Sequence, residues 1–365
     1  MLFGPLYHIG AIIQLEIGPE RMYNRRMNRV IVSENGDGHF NLAVDEYLLE
    51  QHRAGTLEGV TLYFFVNANA VIIGRNQNAW RECDLESMGR AGVQLVRRHT
   101  GGGAVYHDGG NLNFSFIADE RAYDKDRQNR VVLEALSGLG FSAELSGRND
   151  ILVDGRKVSG CAYALEGKAR GMHGTLLVDT DMSMLSRCLN PSRLKLRAKG
   201  IASVRSRVMN LSESREVTVG EVRGAIIKAF AEEYGGCGET VFVRSADDVV
   251  RAYGDRSDDR SGRSINELVE KHRSWGWRMG SSPVFDSVIE GRTDRFEFQL
   301  MLRVKNGFIQ SYEFYTDSLD PHASDELKGL LDGVRFTGED IVSALRRGKG
   351  AAIAVADHIE NNGVM

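Results

Sequence analysis

Three stretches of the sequence carry residue types that could bind an anionic substrate. The first is RRHTGGGAVYHD, residues 97–108, in which three glycines at 101–103 follow a predicted strand. Backbone N–H groups in such a loop can turn toward an anion, and the adjacent Arg98 offers a bidentate donor for phosphate or carboxylate. The spacing matches neither GxxxxGK[ST] nor GxGxxG, so the common nucleotide-binding folds are not supported. A simple mobile loop is the plainer alternative.

The second stretch is GRNDILV at 147–153, followed by GRKVSGCA at 155–162. Asp154-Gly155 predicts a type I′ turn, which places Asp150 and Lys157 on the two arms of one hairpin. A carboxylate here could hold Mg²⁺ together with nucleotide phosphates. The lysine could neutralise charge that develops on a phosphoryl group or a carbonyl oxygen. A surface hairpin with a solvated lysine is the alternative.

The third stretch combines HGTLL at 173–177 with a basic segment downstream. That segment carries four cations among small residues: Lys195, Lys199, Arg205 and Arg207. Cations interleaved with glycine and serine favour a loop that closes on an anionic intermediate, although a solvated basic face would have the same composition.

The composition is that of an ordinary globular enzyme. The 365 residues include 46 Lys and Arg against 50 Asp and Glu, which gives a net charge of −4. This balance argues against a protein that coats nucleic acid. The four scattered cysteines form no CxxC pair, so we expect reduced thiols and a cytoplasmic location. No run approaches the ~18 apolar residues of a membrane span.

The elements that must position these residues indicate an α+β protein with two domains. Residues 1–15 are apolar but lack a basic n-region and a small-residue cleavage site, so we interpret residues 1–26 as an extension of doubtful function. We predict a catalytic domain at 27–245 and a smaller α+β domain at 264–365. Residues 246–263 are rich in Asp, Arg, Ser and Gly, which predicts a linker.

Taken together, these motifs resemble those of the lipoate–protein ligase A family, the bacterial type with a large catalytic and a small accessory domain. The resemblance covers about residues 28–350, with the motifs in the same order. They are RRHTGGGAVYHDGGNLNFSF, GRNDILV, RKVSGCAYA, HGTLL, KGIASVRSRVMNL, SWGWRMGSSPVF and YTDSL. The resemblance implies the fold of biotin ligases and class II synthetases, with mixed sheets and flanking helices.

The resemblance also implies a two-step reaction. ATP and lipoate form lipoyl-AMP with release of pyrophosphate, and the lipoyl group then passes to a lysine of an apo lipoyl domain. Such domains belong to the E2 subunits of 2-oxoacid dehydrogenases and to the glycine cleavage H protein. The resemblance further implies Mg²⁺ as a cofactor and a monomer that binds neither nucleic acid nor membrane.

Residue roles are carried over by position. Lys157 corresponds to the catalytic lysine, and the ATP-contacting positions are Arg98, Gly103, Ala104, Val105, Tyr106 and Lys157. The positions for lipoate or lipoyl-AMP are Gly102, His107, Asn111, Asn149, Asp150, Lys157 and His173. Asp150 is the Mg²⁺ candidate, and the adenylate-binding loop contains Lys195, Lys199, Arg205 and Arg207. The apolar tail is expected against residues such as Leu42, Val44, Val71 and Ile73.

Two departures and two alternatives stay open. Met172 replaces the first of two histidines that often precede GTLL, and Cys161 stands where serine is usual. An octanoyltransferase of the same superfamily would need a catalytic cysteine near 199–200 or 148–149, and the chain has none there. A catalytically silent protein that binds lipoate or lipoyl domains is the second alternative.

Overall fold

The computed structural model describes residues 28–147, 149–190, 208–254 and 262–362. The catalytic part is built around an eight-stranded mixed sheet. Its strands are β1 (Arg29–Ser33), β2 (Val60–Phe65), β6 (Asn111–Asp119), β7 (Ala143–Ser146), β8 (Asp150–Val153), β9 (Arg156–Glu166), β10 (Ala169–Leu177) and β11 (Val241–Val243). They follow the order β11-β1-β2-β6-β10-β9-β8-β7. The α+β fold class predicted from the sequence is thereby confirmed.

A small second sheet carries the glycine loop. It consists of β3 (Ala70–Ile73), β4 (Gln94–Arg97) and β5 (Val105–His107), in the order β4-β3-β5. β4 lies parallel to β3 and β5 antiparallel to it, so the chain between β4 and β5 must cross the end of β3. The three glycines at 101–103 lie in this crossing. Two short helices precede β4, α2 (Ala79–Glu82) and α3 (Leu85–Arg90).

Helix α1 (Gly38–Ala54) lies in the core between the two sheets. Asp37 caps its first turn by accepting from His39 N, and Gly55 ends it in the left-handed region at φ 72°. The sequence predicts an amphipathic helix at 41–54, but every residue from Gly38 to His52 is buried. Its polar residues are therefore removed from water and need partners inside the protein.

Further helices flank the large sheet and extend the first core. They are α4 (Lys125–Gly138) and α6 (Val219–Glu233). Helix α5 (Met182–Cys188) lies instead beside the small sheet, where Cys188 shares a core with Val71 and Ile73. α6 begins with the predicted capping box between Thr218 and Glu221. Phe116 of β6 packs against Phe230 of α6, with ring centroids 6.1 Å apart, so this helix covers one face of the sheet.

The structure differs from the predicted linker at 246–263. Helix α7 (Ala246–Tyr253) occupies its first half and buries Val249. The following helix, α8 (Ile265–Arg273), begins with the predicted capping box but packs in the same core as α1 instead of joining the second domain. The many charged residues of this stretch predict a linker, but its few apolar side chains are sufficient to pack both helices against the core.

The C-terminal unit is a three-stranded antiparallel sheet with helices on one face. Its strands are β12 (Phe285–Arg292), β13 (Glu297–Lys305) and β14 (Phe308–Thr316), and its helices are α9 (Gly338–Leu345) and α10 (Ala351–Asn362). Asn306 and Gly307 both have positive φ, as the predicted hairpin turn requires. The sequence pattern predicts a helix at 323–331, but the structure has only one 3₁₀ turn there, Asp325–Leu327, and Gly329 follows at φ 72°. Within the described ranges, no helix has the length and apolar character needed to cross a membrane.

Candidate active site

One cavity of about 360 Å³ collects most of the residues predicted from the sequence. It lies between the glycine loop, β5, β6 and the β9–β10 pair. The predicted residues that line it are Arg98, Gly102, Gly103, Ala104, Val105, Tyr106, His107, Asn111, Asn149, Lys157 and His173. No lining residue in the described part of the chain is Asp or Glu. Such a surface is suited to a substrate that brings negative charge.

Arg98 fixes the conformation of the glycine loop through hydrogen bonds to its carbonyl oxygens. Its Nε donates to Gly101 O at 3.0 Å, and its Nη2 donates to Gly101 O at 2.7 Å and to Gly103 O at 2.8 Å. Because Arg98 binds these carbonyl oxygens on one side of the loop, the loop amides are available to a ligand on the opposite side. Gly102 lies at φ 99°, and a Cβ there would come within 2.6 Å of Arg98 Nη2, so only glycine fits.

Lys157 and Asp150 form an ion pair across the β8–β9 hairpin, with Nζ 2.7 Å from Oδ1. Asp154 and Gly155 both have positive φ, which is the backbone of the predicted turn. Lys157 lines the cavity, whereas Asp150 does not, and both side chains are about one-third exposed. Among the residues described, no cluster of three or more His, Cys, Asp or Glu could hold a metal ion.

His107 is held as a neutral donor on the cavity wall. Asn41 Nδ2 donates to Asn67 Oδ1 at 2.9 Å, which turns the Asn67 amide nitrogen toward His107 Nδ1 at 3.0 Å. Burial, together with the neighbouring charge of Arg98, lowers the pKa of His107 to about 3. The proton therefore resides on Nε2, a buried atom with no partner within the described protein. Oδ1 of the neighbouring Asn111 is also buried without a partner, so the wall offers one donor and one acceptor to a ligand.

The apolar part of the cavity differs from the expectation in detail. Of the four residues named from the sequence, Leu42 lines the cavity, while Val44, Val71 and Ile73 are buried in the cores. On β3 it is Ile72 that lines the cavity, because alternate residues of a strand point to opposite faces. Phe65 adds an aromatic wall that sequence reasoning missed.

Arg97, next to Arg98, ties the glycine loop region to the start of the C-terminal unit. Its guanidinium is fully buried and donates to five backbone carbonyl oxygens and one serine hydroxyl on the two sides of this junction. The acceptors are Gly74 O, Arg75 O and Gln77 O on one side, and Trp277 O, Arg278 O and Ser282 Oγ on the other. The two adjacent arginines are thus both buried, and they hold different segments: Arg98 holds the glycine loop, and Arg97 holds the start of the C-terminal unit.

Cys161 lines the cavity but is not an activated thiol. Burial raises its pKa to about 11, and it is free, like the other three cysteines. The thiol form, which predominates at neutral pH, is a poor nucleophile. The four cations of the predicted adenylate-binding loop, Lys195, Lys199, Arg205 and Arg207, lie outside the described residues.

Two family models and several solved structures match this chain. Residues 37–231 match the model of the lipoyl protein ligase A/B catalytic domain, and residues 282–362 match that of the bacterial lipoate protein ligase C-terminus. P. falciparum LipL1 in complex with lipoate is 26% identical and covers 92% of this chain and 98% of its own, with a TM-score of 0.59.

Two further solved structures align with the larger part of the chain. A bipartite lipoate protein ligase of Thermoplasma acidophilum, studied with its E2 lipoyl domain, is 31% identical over 70% of this chain and 97% of its own, with a TM-score of 0.58. A lipoate-protein ligase A bound with ATP is 30% identical over 70% of this chain and 99% of its own, with a TM-score of 0.57.

Proposed function

The chain belongs to the lipoyl protein ligase A/B family, and from this premise we propose that it is an ATP-dependent lipoate–protein ligase. It joins the lipoate carboxylate to the α-phosphate of ATP, releases pyrophosphate, and transfers the lipoyl group from lipoyl-AMP to a lysine ε-amine. The observation that carries this proposal is one cavity in which the glycine loop, Lys157 and an apolar wall meet, with no carboxylate among its described lining residues.

Adenylation brings two anions together, so the site must offset their repulsion. The backbone of the loop from Gly103 to Tyr106 cradles the nucleotide phosphates, and Arg98 keeps that loop in shape and adds positive charge. Lys157 contacts both ATP and lipoate and stabilises charge on the carbonyl and α-phosphate oxygens. The remaining lipoate or lipoyl-AMP positions are Gly102, His107, Asn111, Asn149, Asp150 and His173. The tail lies against Leu42, Phe65 and Ile72.

Mg²⁺ fits this site through one protein ligand. Asp150 is next to the cavity, and Mg²⁺ is commonly bound by one or two carboxylates plus phosphate oxygens and waters. When bound, it would neutralise phosphate charge. Lys157 Nζ, 2.7 Å from Asp150 Oδ1, orients that carboxylate and balances its negative charge.

Transfer requires a neutral amine. Its nitrogen attacks the acyl carbon, the bond from that carbon to the phosphate oxygen breaks, and AMP leaves with the electron pair while the amine loses its extra proton. Lys157 stabilises the oxyanion that develops in this step. We propose lipoyl domains of 2-oxoacid dehydrogenase E2 subunits and the glycine cleavage H protein as acceptors, and a monomer in the cytoplasm. The four free cysteines are compatible with that reducing compartment.

Lipoate-dependent exchange of pyrophosphate into ATP tests the proposal directly. A ligase gives exchange only when lipoate is present, and then adds one lipoyl group to an apo lipoyl domain, measured by intact mass. An octanoyltransferase would show no exchange but would form an acyl thioester with octanoyl-loaded carrier protein. A silent binding protein would show neither reaction. Absence of exchange from folded, lipoate-binding protein would overturn the ligase assignment.

A further inference from the structure

A buried carboxylate, an imidazole and a hydroxyl lie in line behind the cavity wall. Asp45 of α1 places Oδ2 3.4 Å from His173 Nδ1, and His173 Nε2 lies 2.8 Å from Thr100 Oγ1. These residues come from the core helix, from β10 and from the residue directly before the glycine loop. Asp45 and Thr100 are each only about 4% exposed and His173 is 16% exposed, so water has little access to these contacts.

The direction of the hydrogen bonds follows from the ionised state of Asp45. Burial alone would raise the pKa of this carboxyl, but the hydrogen bond from His173 and the proximity of His99 bring it below its ordinary value. A carboxylate only accepts, so His173 must donate through Nδ1–H. In the neutral imidazole that donates through Nδ1, Nε2 carries no proton and accepts from the Thr100 hydroxyl, 2.8 Å away.

The other carboxylate oxygen faces a space suited to one water molecule. Asp45 Oδ1 and His99 Nδ1 are buried and form no hydrogen bond within the described protein, and the Ser115 hydroxyl lies beside the carboxylate. All three residues line a cavity of about 10 Å³, roughly the volume that one water occupies. A water there would complete the acceptor sites of Asp45 and hold the carboxylate in place.

We propose that Asp45 is a positioning residue for nucleotide binding, which sets the tautomer of His173 and, through it, the Thr100 hydroxyl that anchors the glycine loop. This inference rests on the proposed function, because it takes ATP to be the ligand of that loop. A buried acid that orients a histidine toward a hydroxyl is a known way of fixing one tautomer. Thr100 does not line the cavity, so it anchors the loop and is not a nucleophile.

The first test is spectroscopic and independent of activity. In ¹⁵N-histidine-labelled protein, with His173 assigned by its loss in His173→Asn, the wild type should show a protonated Nδ1 and an unprotonated Nε2. Asp45→Asn presents an amide that can donate to Nδ1, so the signal should change to the Nε2–H tautomer. A wild-type His173 that is already protonated on Nε2 would overturn the proposal.

The second test measures KM values in lipoate-dependent ATP–pyrophosphate exchange. Asp45→Asn should raise the KM for ATP about tenfold, roughly the effect of losing one hydrogen bond to a charged group, and should raise the KM for lipoate less. The matched control is Glu46→Gln, which neutralises the adjacent buried carboxylate. Glu46 binds His272 and Lys271 and not His173, so the KM for ATP should stay within about twofold.

Thr100 provides a second variant pair if Asp45→Asn fails to fold. Thr100→Val removes the hydroxyl at nearly constant volume and should raise the KM for ATP, whereas Thr100→Ser should recover most of that loss. Equal KM values for Val and Ser would overturn the proposal. Failure of the proposed function has a different signature, because wild-type protein would then show no exchange while its His173 tautomer could still be measured.

Discussion

Replacing Lys157 with alanine should remove most of the activity and almost none of the stability. Lys157 Nζ lies 2.7 Å from Asp150 Oδ1, and the two side chains are 36% and 34% exposed. Ion pairs near the surface contribute about 0.2–1 kcal/mol to folding. Loss of one group that stabilises developing charge costs about 10²–10³ in rate, or roughly 3–4 kcal/mol at the transition state. The kinetic loss should therefore be several times larger than the loss in the free energy of unfolding.

The assay compares turnover and unfolding on the same preparation. Exchange and single-turnover lipoylation of an apo lipoyl domain give the two rates, and urea unfolding gives the free energy. Lys228→Ala is the matched control, since Lys228 is also paired with a carboxylate, Glu232, but lies 79% exposed on α6 away from the cavity. If Lys157→Ala kept more than about a tenth of wild-type turnover, the role assigned to this lysine would be refuted.

Three other outcomes are expected. Arg97→Leu should lower the free energy of unfolding by about 3 kcal/mol or more, because several buried carbonyl oxygens lose their donor; an unchanged urea midpoint would contradict this. A Cys161→Ser, Cys188→Ser double variant should retain lipoyl transfer, since burial raises the pKa of both thiols; an acyl thioester trapped on the wild type would argue otherwise. The melting temperature should fall steeply as the pH drops below 6.5. Burial lowers the folded-state pKa values of His52, His99 and His107 from 6.5 to between about 3 and 4. Below pH 6.5 only the unfolded chain therefore takes up protons at these histidines, which favours unfolding. A flat melting profile from pH 7 to 4.5 would contradict the last expectation.

Local features of the chain were predictable because their causes are local. The Asp154-Gly155 turn depends on two residues that tolerate positive φ, and the capping boxes at Thr218 and Ser264 need only a partner three residues later. The residues predicted for the site also come in short motifs. Eleven residues of these motifs line the cavity, because strand ends and turns bring short motifs to the same place.

Other features depend on contacts between distant segments, so neighbouring letters carry no signal for them. Asp45 meets His173 across 128 positions, and Arg97 meets Arg278 across 181. Whether Ile72 or Val71 lines the cavity depended on which face of β3 met α1. Whether α8 joined the core around α1 depended on the buried face that α1 offered it.

The sequence alone therefore determined which chemical groups are present, where the chain turns and which family it resembles. The tertiary structure decided which of those groups are removed from water. Asp45 and Arg97 are buried, so each depends on hydrogen bonds to protein groups far away in the sequence. Burial also keeps His107 neutral, with an Nε2–H donor that has no partner within the described protein. Burial is a property of the whole packed molecule, and the energy of a charge or hydrogen bond depends on it more than on the identity of its neighbours in the chain.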